Sequence, residues 1–578
     1  MAVSVVIQGF PSSNRDPGAY GEVIYGVGAQ SAASLPIAVL CTGLKIAAGA
    51  IVPDVQVQRI QSIADADLYA GPGGEGACQL YDALVLGGNA GLPVFYCSPT
   101  PAVGATAATT NLKITGTATA AGAVIVRVNG KPIAQGISIG DTGAVIVANL
   151  ANTISGFGGG RYPLNATSTT NYCVVTCRTS GVRGMQHVVF LDTTQLPAGL
   201  TATLYTTWLP TQPYVIGDQV IPPTPNGFYY KATAAGTTGG SPPVFPTTIG
   251  TTVTDGSVTW TCWGVTATGN SPTTALFLGN ASGLETYTAL LATLTTQAYG
   301  RIALAANDAT SAAAWKVQVD QYAAAPFNFL QHVDIGTNGT QAAATSLAQT
   351  TLNDQRFQVL WELNCETHPS RIAVFAAVRA LAEQGNPNAA FNDYAVTTIA
   401  PQSQQADWPT LPVRVACLNA GVSVMGSWIG DGYSRVARSI TTHCLTGGNA
   451  DYSTFDTGQA VVPDFVLLDA KLYWTTVLAP NNPVAQDNPP DAQRPLPTGV
   501  LTPAKAGAAL FSRLVDFSNG VLSGTSATVP PIVKAPVTTD ISATWDPIAQ
   551  RIMVAENVNV MANNCQLGVS VRQVAPGS

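Results

Sequence analysis

With 578 residues the chain is too long for one hydrophobic core and calls for roughly three to five domains. Only 10% of the residues are charged while 46% are apolar, which excludes a disordered chain and points to a surface that largely meets other protein. A net charge of −7 without a Lys/Arg cluster excludes an electrostatic footprint for nucleic acid.

The opening "MAVSVVIQGF" lacks a basic segment followed by a long apolar one, so no signal peptide is expected. Val3, Val5 and Ile7 alternate to one side, and "PSSNRDPGAYGEV" supplies turns, so residues 1–27 read as an extended N-terminal arm. Residues 28–105 begin a core, with a buried strand at "PIAVLCT" and a helix ahead of Gly71, Gly73 and Gly76. Those glycines form a G-x-G-x-x-G pattern. A helix, not a strand, precedes the pattern, so it predicts a tight helix-to-helix turn and no dinucleotide site.

Residues 106–205 read as an inserted α+β module. Asn129-Gly130 is a two-residue hairpin turn. Asp141 is an expected N-cap, before a helix carrying Val147, Leu150, Ala151 and Ile154. Cys173 and Cys177 share one face of a strand, too far apart to bridge. Residues 208–265 are strands and turns only, with an Asp255-Gly256 hairpin. Their rings, Trp208, Tyr229, Tyr230, Trp260 and Trp263, suit either sugar stacking or the core of a small module, and the core is favoured.

From 266 to 550, strands ("GRIALAA", "FNFLQHV", "FQVLWEL") alternate with helices ("GLETYTALLATLTTQAY", "DATSAAAWKVQVDQYAAA", "TQAAATSLAQTTLN", "HPSRIAVFAAVRALAEQG"). This alternation predicts an α/β core whose mostly parallel sheet is covered by helices. Further helices are expected near 463–478 and from Thr502-Pro503 to Gly520. Residues 551–578 read as an extended C-terminal arm, with Leu567, Val569 and Val571 on one face.

No catalytic, cofactor or metal site is expected. Asp141-Thr142-Gly143 and Asp456-Thr457-Gly458 match a triplet of aspartic proteases, but their flanks do not resemble duplicated lobes and both precede helices. "SGTSAT" at 523–528 mimics a serine nucleophile segment without supporting flanks. His187, His332, His368 and His443 do not pair at zinc-helix spacing. No apolar run reaches the roughly 20 residues of a membrane span. The ten dispersed cysteines read as reduced thiols of a cytoplasmic product.

Taken in order, several segments resemble the contractile tail sheath protein of bacteriophages in its Mu-like form, whose fold is labelled subtilisin-like. They are "PSSNRDPGAYGEV" (Pro17, Tyr20, Glu22), "GKPIAQGISIGDTGAVIVANLANTI", "GVSVMGSW", "RVARSITTHCLTGGNADYSTFD" and "ENVNVMANNCQLGVSVRQV". The fourth carries Arg438, Ile440, Thr441, Thr442, Asp451, Ser453, Phe455 and Asp456.

The resemblance implies a non-enzymatic virion subunit, assembled in the host cytoplasm. Such subunits stack as hexameric rings around the tail tube and contract to drive it through the host envelope. It implies terminal arms that add strands to neighbouring subunits, and no cofactor. The implied partners are other sheath subunits, the tail tube protein, and baseplate and tail terminator proteins, without direct nucleic-acid contact or membrane insertion. It also suggests that 208–265 lies on the outer surface and that the 502–520 helix faces the tube through Lys505 and Arg513. A core helix with two solvated charges is the competing reading of that helix. A non-contractile structural or adhesive phage or cell-surface protein is the alternative function.

Overall fold

The computed structural model describes residues 37–87, 91–128, 130–266, 275–324, 327–400, 407–478, 483–487, 496, 499–521, 531–546 and 551–561. The N-terminal arm and Leu567, Val569 and Val571 lie outside the described residues.

The core is built on a nine-stranded sheet. Its strands are β1 (Val39–Cys41), β2 (Gln58–Ile60), β3 (Val94–Tyr96), β4 (Arg301–Leu304), β5 (His332–Thr337), β6 (Phe357–Trp361), β7 (Asn392–Val396), β8 (Val422–Gly426) and β9 (Ser434–Arg438). In space they run β2-β3-β1-β4-β5-β6-β8-β9-β7. Strands β3 to β8 in that order pair in parallel, and β2, β9 and β7 add antiparallel edges. Every residue of β1, β4, β5, β6 and β8 is buried, as expected when helices cover both faces of a parallel sheet.

The principal core helices are α1 (Ile63–Ala70), α2 (Glu75–Leu86), α3 (Ala309–Ala323), α4 (Phe375–Gly385), α5 (Leu411–Asn419), α6 (Thr457–Tyr473) and α7 (Pro503–Ser518). Helices α1, α2, α4, α6 and α7 share an apolar cluster with Val39, Cys41, Val94 and Ala303. The opposite face, led by Leu40, Ile302, Val333 and Val422, packs with α3 and α5. The glycine pattern forms the turn from α1 to α2. Gly71 and Gly73 take φ of 84° and 73°. A Cβ on Gly76 would stand 2.4 Å from the Tyr96 hydroxyl oxygen, so only glycine lets α2 settle on β3 there.

Helix α4 carries two charged side chains, Arg379 and Glu383, that are fully buried. Arg379 donates to Asp334 on β5 (2.6 Å), to Gln358 on β6 (3.2 Å) and to Glu383 (3.1 Å). Glu383 also accepts from Arg301 on β4 (2.6 Å). Gln358 passes the row on to Ser423 (2.8 Å) and Ser439 (2.9 Å). Beside it, Asp464 on α6 takes a bidentate bond from Arg356 (2.7 and 2.8 Å) and meets His332 Nε2 at 2.8 Å. Burial, then Arg301, hold His332 down at a pKa of about 3, so it is neutral.

The inserted α+β module contains two four-stranded sheets and the helix Gly143–Gly156 around one apolar cluster. Val128 pairs with Lys131, with Gly130 between them at φ 70°. Two expectations shift here. The module does not end at 205: Ala275–Phe277 returns to pair with Val188–Phe190, and Thr109 and Thr106 bridge to Gly279 and Ser282. The small all-β module is therefore nested inside it, and the later core begins beyond 282. The helix cap is also Thr142, not Asp141, whose carboxylate turns back to accept from Ser138 N at 2.7 Å.

The small module is a five-stranded sheet whose core holds Trp208, Tyr230 and Trp260. Both indole N–H groups donate to Asp255 Oδ2, at 2.6 and 3.0 Å. These rings are interior, and Trp263, half-buried, donates to Thr109 O (2.9 Å).

Two other spans moved. The "FNFLQHV" strand begins five residues later, at His332, and runs on through Asp334 and Gly336 to Thr337, where the apolar run is interrupted. "GLETYTALLATLTTQAY" is helical only over Thr288–Thr293.

Replacing Arg379 by Met should leave Asp334 and Glu383 buried without their shared cation. The expected loss is about 3–5 kcal/mol, read as a fall in thermal midpoint or as insoluble protein. A variant as stable as the parent would show that the row does not hold α4.

Candidate functional site

The protease-like residues resolve into architecture. Asp141 and Asp456 lie in different modules. The Asp456 carboxylate is held by Arg438 Nε (2.7 Å) and its terminal nitrogen (2.8 Å). Asp456 N donates to Gln459 (3.1 Å) at the head of α6. Thr441 and Thr442, from the same segment, donate to the carbonyls of Thr454 (2.7 Å) and Asp354 (2.9 Å). The segment "RVARSITTHCLTGGNADYSTFD" thus stitches β9 to α6. Residues 523–528 lie outside the described residues.

His368 has a serine and an acid nearby, but not as a relay. Ser370 Oγ (2.8 Å) and Glu75 (4.0 Å) both approach Nδ1, while Nε2 faces the Arg183 carbonyl at 3.0 Å. A nucleophilic triad needs serine and acid on opposite ring nitrogens. Among the described residues no group of His, Cys, Asp or Glu could hold a metal ion. The described cysteines are free and buried, Cys173 and Cys177 together on one strand face. Burial pushes the Cys78 thiol up to about 12, which makes it a poor nucleophile.

The same histidine belongs to the junction that carries the inserted module. Arg183 of that module grips Glu75 at the start of α2 (2.9 and 2.7 Å), Tyr287 (3.2 Å) and Glu285. His187 lies 4.4 Å from His368 ring to ring. Burial, then His368 and Arg371, hold His187 well below its usual range. Burial is the largest influence on Glu75, but Arg183, His368 and the Leu44 N–H together outweigh it, and the net shift is downward.

The feature with unspent bonding capacity is the C-terminal hairpin. Ile541–Asp546 pairs antiparallel with Arg551–Glu556 as a two-stranded sheet, closed by Arg551–Asp546 at 3.1 Å. A two-stranded ribbon is marginal alone, and here α7 supports it. A Cβ built on Gly507 of α7 would meet Ala543 at 3.3 Å and Ile541 at 3.5 Å, so the helix lies close on the first strand. Both outer edges are unpaired among the described residues.

Beyond the hairpin, Lys534 N donates to Asn559 O (2.8 Å), Met561 N to Ile532 O (3.0 Å) and Asn388 to Met561 O (3.0 Å). Residues 551–561 are therefore bound to their own subunit. This corrects the expected arm of 551–578, of which only 562–578 remains, outside the described residues.

The two cations expected to face outward part company. Arg513 is largely buried, with a bidentate pair to Asp469 on α6 (3.0 and 2.7 Å) and its guanidinium 4.8 Å from the Phe517 ring centre. It rivets α7 to α6 and is not an outward contact. Lys505 is exposed and donates to Val500 O at 2.6 Å. Near the rivet, burial, then the Asp469 charge, raise Glu556 to about 7.

No family model matches this chain, and no curated protein matches it in sequence. Among solved structures, a sheath tail protein from Desulfitobacterium hafniense is similar over 91% of this chain and 97% of its own, at 11% identity and a TM-score of 0.40. A sheath tail protein from Listeria innocua is similar over 93% and 94%, at 9% identity and a TM-score of 0.42. A chain in the cryo-EM structure of the anti-feeding prophage baseplate is similar over 48% and 68%, at 13% identity and a TM-score of 0.31. With TM-scores below 0.5, these likenesses assign no role to this chain.

Glu556 sets a pH dependence. Its folded pKa lies above its unfolded value, so the fold holds the proton longer. Stability contributed by the protonated form is full below the unfolded pKa and is lost as pH rises towards about 7. Glu556→Gln should therefore raise the thermal midpoint at pH 8, by about 2 °C or more, and leave it unchanged at pH 4. An equal effect at both pH values would refute this reading. Arg513→Ala should cost about 3 kcal/mol in unfolding experiments by stranding Asp469, whereas an outward-facing arginine would cost almost nothing.

Proposed function

We propose that the chain is a structural subunit of a contractile bacteriophage tail sheath. The observation that carries this reading is the strand pair 541–546 and 551–556, a supported ribbon whose two outer edges are unpaired among the described residues, on a chain whose sequence ends alternate with period 2. An extended segment from a neighbouring subunit would add to such an edge through main-chain bonds. The N-terminal segment with Val3, Val5 and Ile7 and the C-terminal segment with Leu567, Val569 and Val571 are the strands to donate. The ordered resemblance to the sheath family supports the reading, as do the low charge and the exposed apolar side chains, among them Val55, Leu68, Leu411 and Ile429.

In this proposal subunits stack as hexameric rings around the tail tube. Strand addition keeps neighbours connected while the bodies rotate from an extended to a contracted lattice. The driving free energy lies in many repeated contacts, each of the order of a standard interface of roughly 1,000–2,000 Å². Nothing in that cycle needs catalysis. Lys505 remains available to a tube protein, and baseplate and terminator proteins would cap the two ends.

Removal of residues 562–578 should abolish ribbed tubes in negative-stain images while leaving the thermal midpoint of the subunit unchanged. Tubes of normal length from the truncated chain would defeat the strand-donation reading.

A further inference from the structure

The two inserted modules enclose a cleft of about 160 Å³ between them. It is smaller than the roughly 300 Å³ at which drug-sized pockets begin. The α+β module lines it with Asn111 and Lys113 from one strand and Tyr172 from the next. Tyr205 stands on the connection into the small module, which itself provides Tyr214 and Asp218.

The polar groups are already set in place. Lys113 pairs with Asp218. The Tyr172 hydroxyl donates to Asp218 Oδ1 at 2.7 Å, and Val215 N donates to Oδ2 at 2.9 Å. Asn111, buried, donates to Gly217 O at 3.0 Å. These bonds fix the walls without exhausting them. The Lys113 ammonium has three donors and bonds only Asp218 among the described residues. The Tyr205 hydroxyl has no hydrogen-bond partner among them, and the three tyrosine rings are half-buried.

We propose that this cleft binds one neutral hexopyranose unit. Half-buried rings present apolar surface to the C–H face of a sugar, and an ammonium beside a carboxylate offers a donor and an acceptor to adjacent hydroxyls. The Lys113–Asp218 pair contributes no net charge, so it does not favour an acidic sugar. The rings Trp208, Tyr230 and Trp260, for which the core was the favoured reading over sugar stacking, are committed to the small module's own core. The binding surface is formed where that module meets its host. The inference does not depend on tail assembly, because every residue in it belongs to one chain.

Saturation-transfer NMR on the full chain, with methyl glycosides of glucose, galactose, mannose, rhamnose and N-acetylglucosamine, tests it, with methyl glucuronide as the charged comparison. At least one neutral glycoside should bind in the millimolar range. Tyr205→Ala and Lys113→Met should each weaken that binding about tenfold at an unchanged thermal midpoint. Should either substitution lower the midpoint, Tyr205→Phe, which removes only the hydroxyl, should weaken binding about threefold. Absence of binding across the panel, preference for the glucuronide, or undiminished affinity in folded variants would overturn the proposal. Tube formation scored on the same variants separates this result from the assembly reading, since loss of sugar binding should leave tubes intact.

Discussion

Buried charge fastens the helices on one face of the nine-stranded sheet, and the placement of everything beyond that face follows from it. Arg301, Arg379, Asp334 and Glu383 bring two positive and two negative groups into the buried interior. Each ion costs several kcal/mol to desolvate, and only close pairing offsets that cost. An apolar helix could slide or rotate on the sheet with small loss. Helix α4 cannot, because any shift strands an ion in the interior. The gain is a unique position for the helix more than added stability. The same use of charge leaves the outer surface poorer still in ions than the 10% composition suggests.

This explains what could be read in advance and what could not. Local signals were legible: the hairpin closed by Val128 and Lys131, the Asp255-Gly256 hairpin, Thr502-Pro503 at the head of α7, and the Gly71–Gly76 corner each depend on a few adjacent residues. The ring-rich stretch 208–265 was legible as a self-buried module because so small a sheet has little else to bury. The charge row was not legible. Its partners on β4, β5, β6 and α4 are far apart in sequence, and Asp334 interrupts the apolar run within β5. Arg513 misled for the same reason: a cation on an amphipathic helix reads as exposed until Asp469, 44 residues earlier, is found beneath it. The return of Ala275–Phe277 to the α+β module was equally hidden, since three residues carry no periodicity.

The nested insertion has its own consequence. The small module interrupts its host between Leu200–Thr203 and Ala275–Phe277, so both of its ends are anchored in host sheets. The host is in turn clamped to the core by Arg183 between Glu75 and Glu285. The pairs Arg127–Glu366 (2.8 Å) and Arg161–Asp67 (2.7 Å) add to that clamp, and the cleft between the modules keeps its shape because strands on either side of it are paired within their own sheets.

A continuous path of contacts runs from the sheet to the hairpin. Arg356 beside β6 holds Asp464 on α6. Five residues along that helix Asp469 holds Arg513 on α7, and Gly507 brings α7 close against Ile541 and Ala543. Each step is a buried ion pair or a close van der Waals contact, so the path is stiff where a loop would be compliant. Load applied to the open edges of the hairpin would pass into the sheet without first deforming a linker. In the proposed lattice that stiffness is the requirement. Bodies that turn by tens of degrees while joined through their ends can convert contact energy into movement only if the joint yields and the body does not.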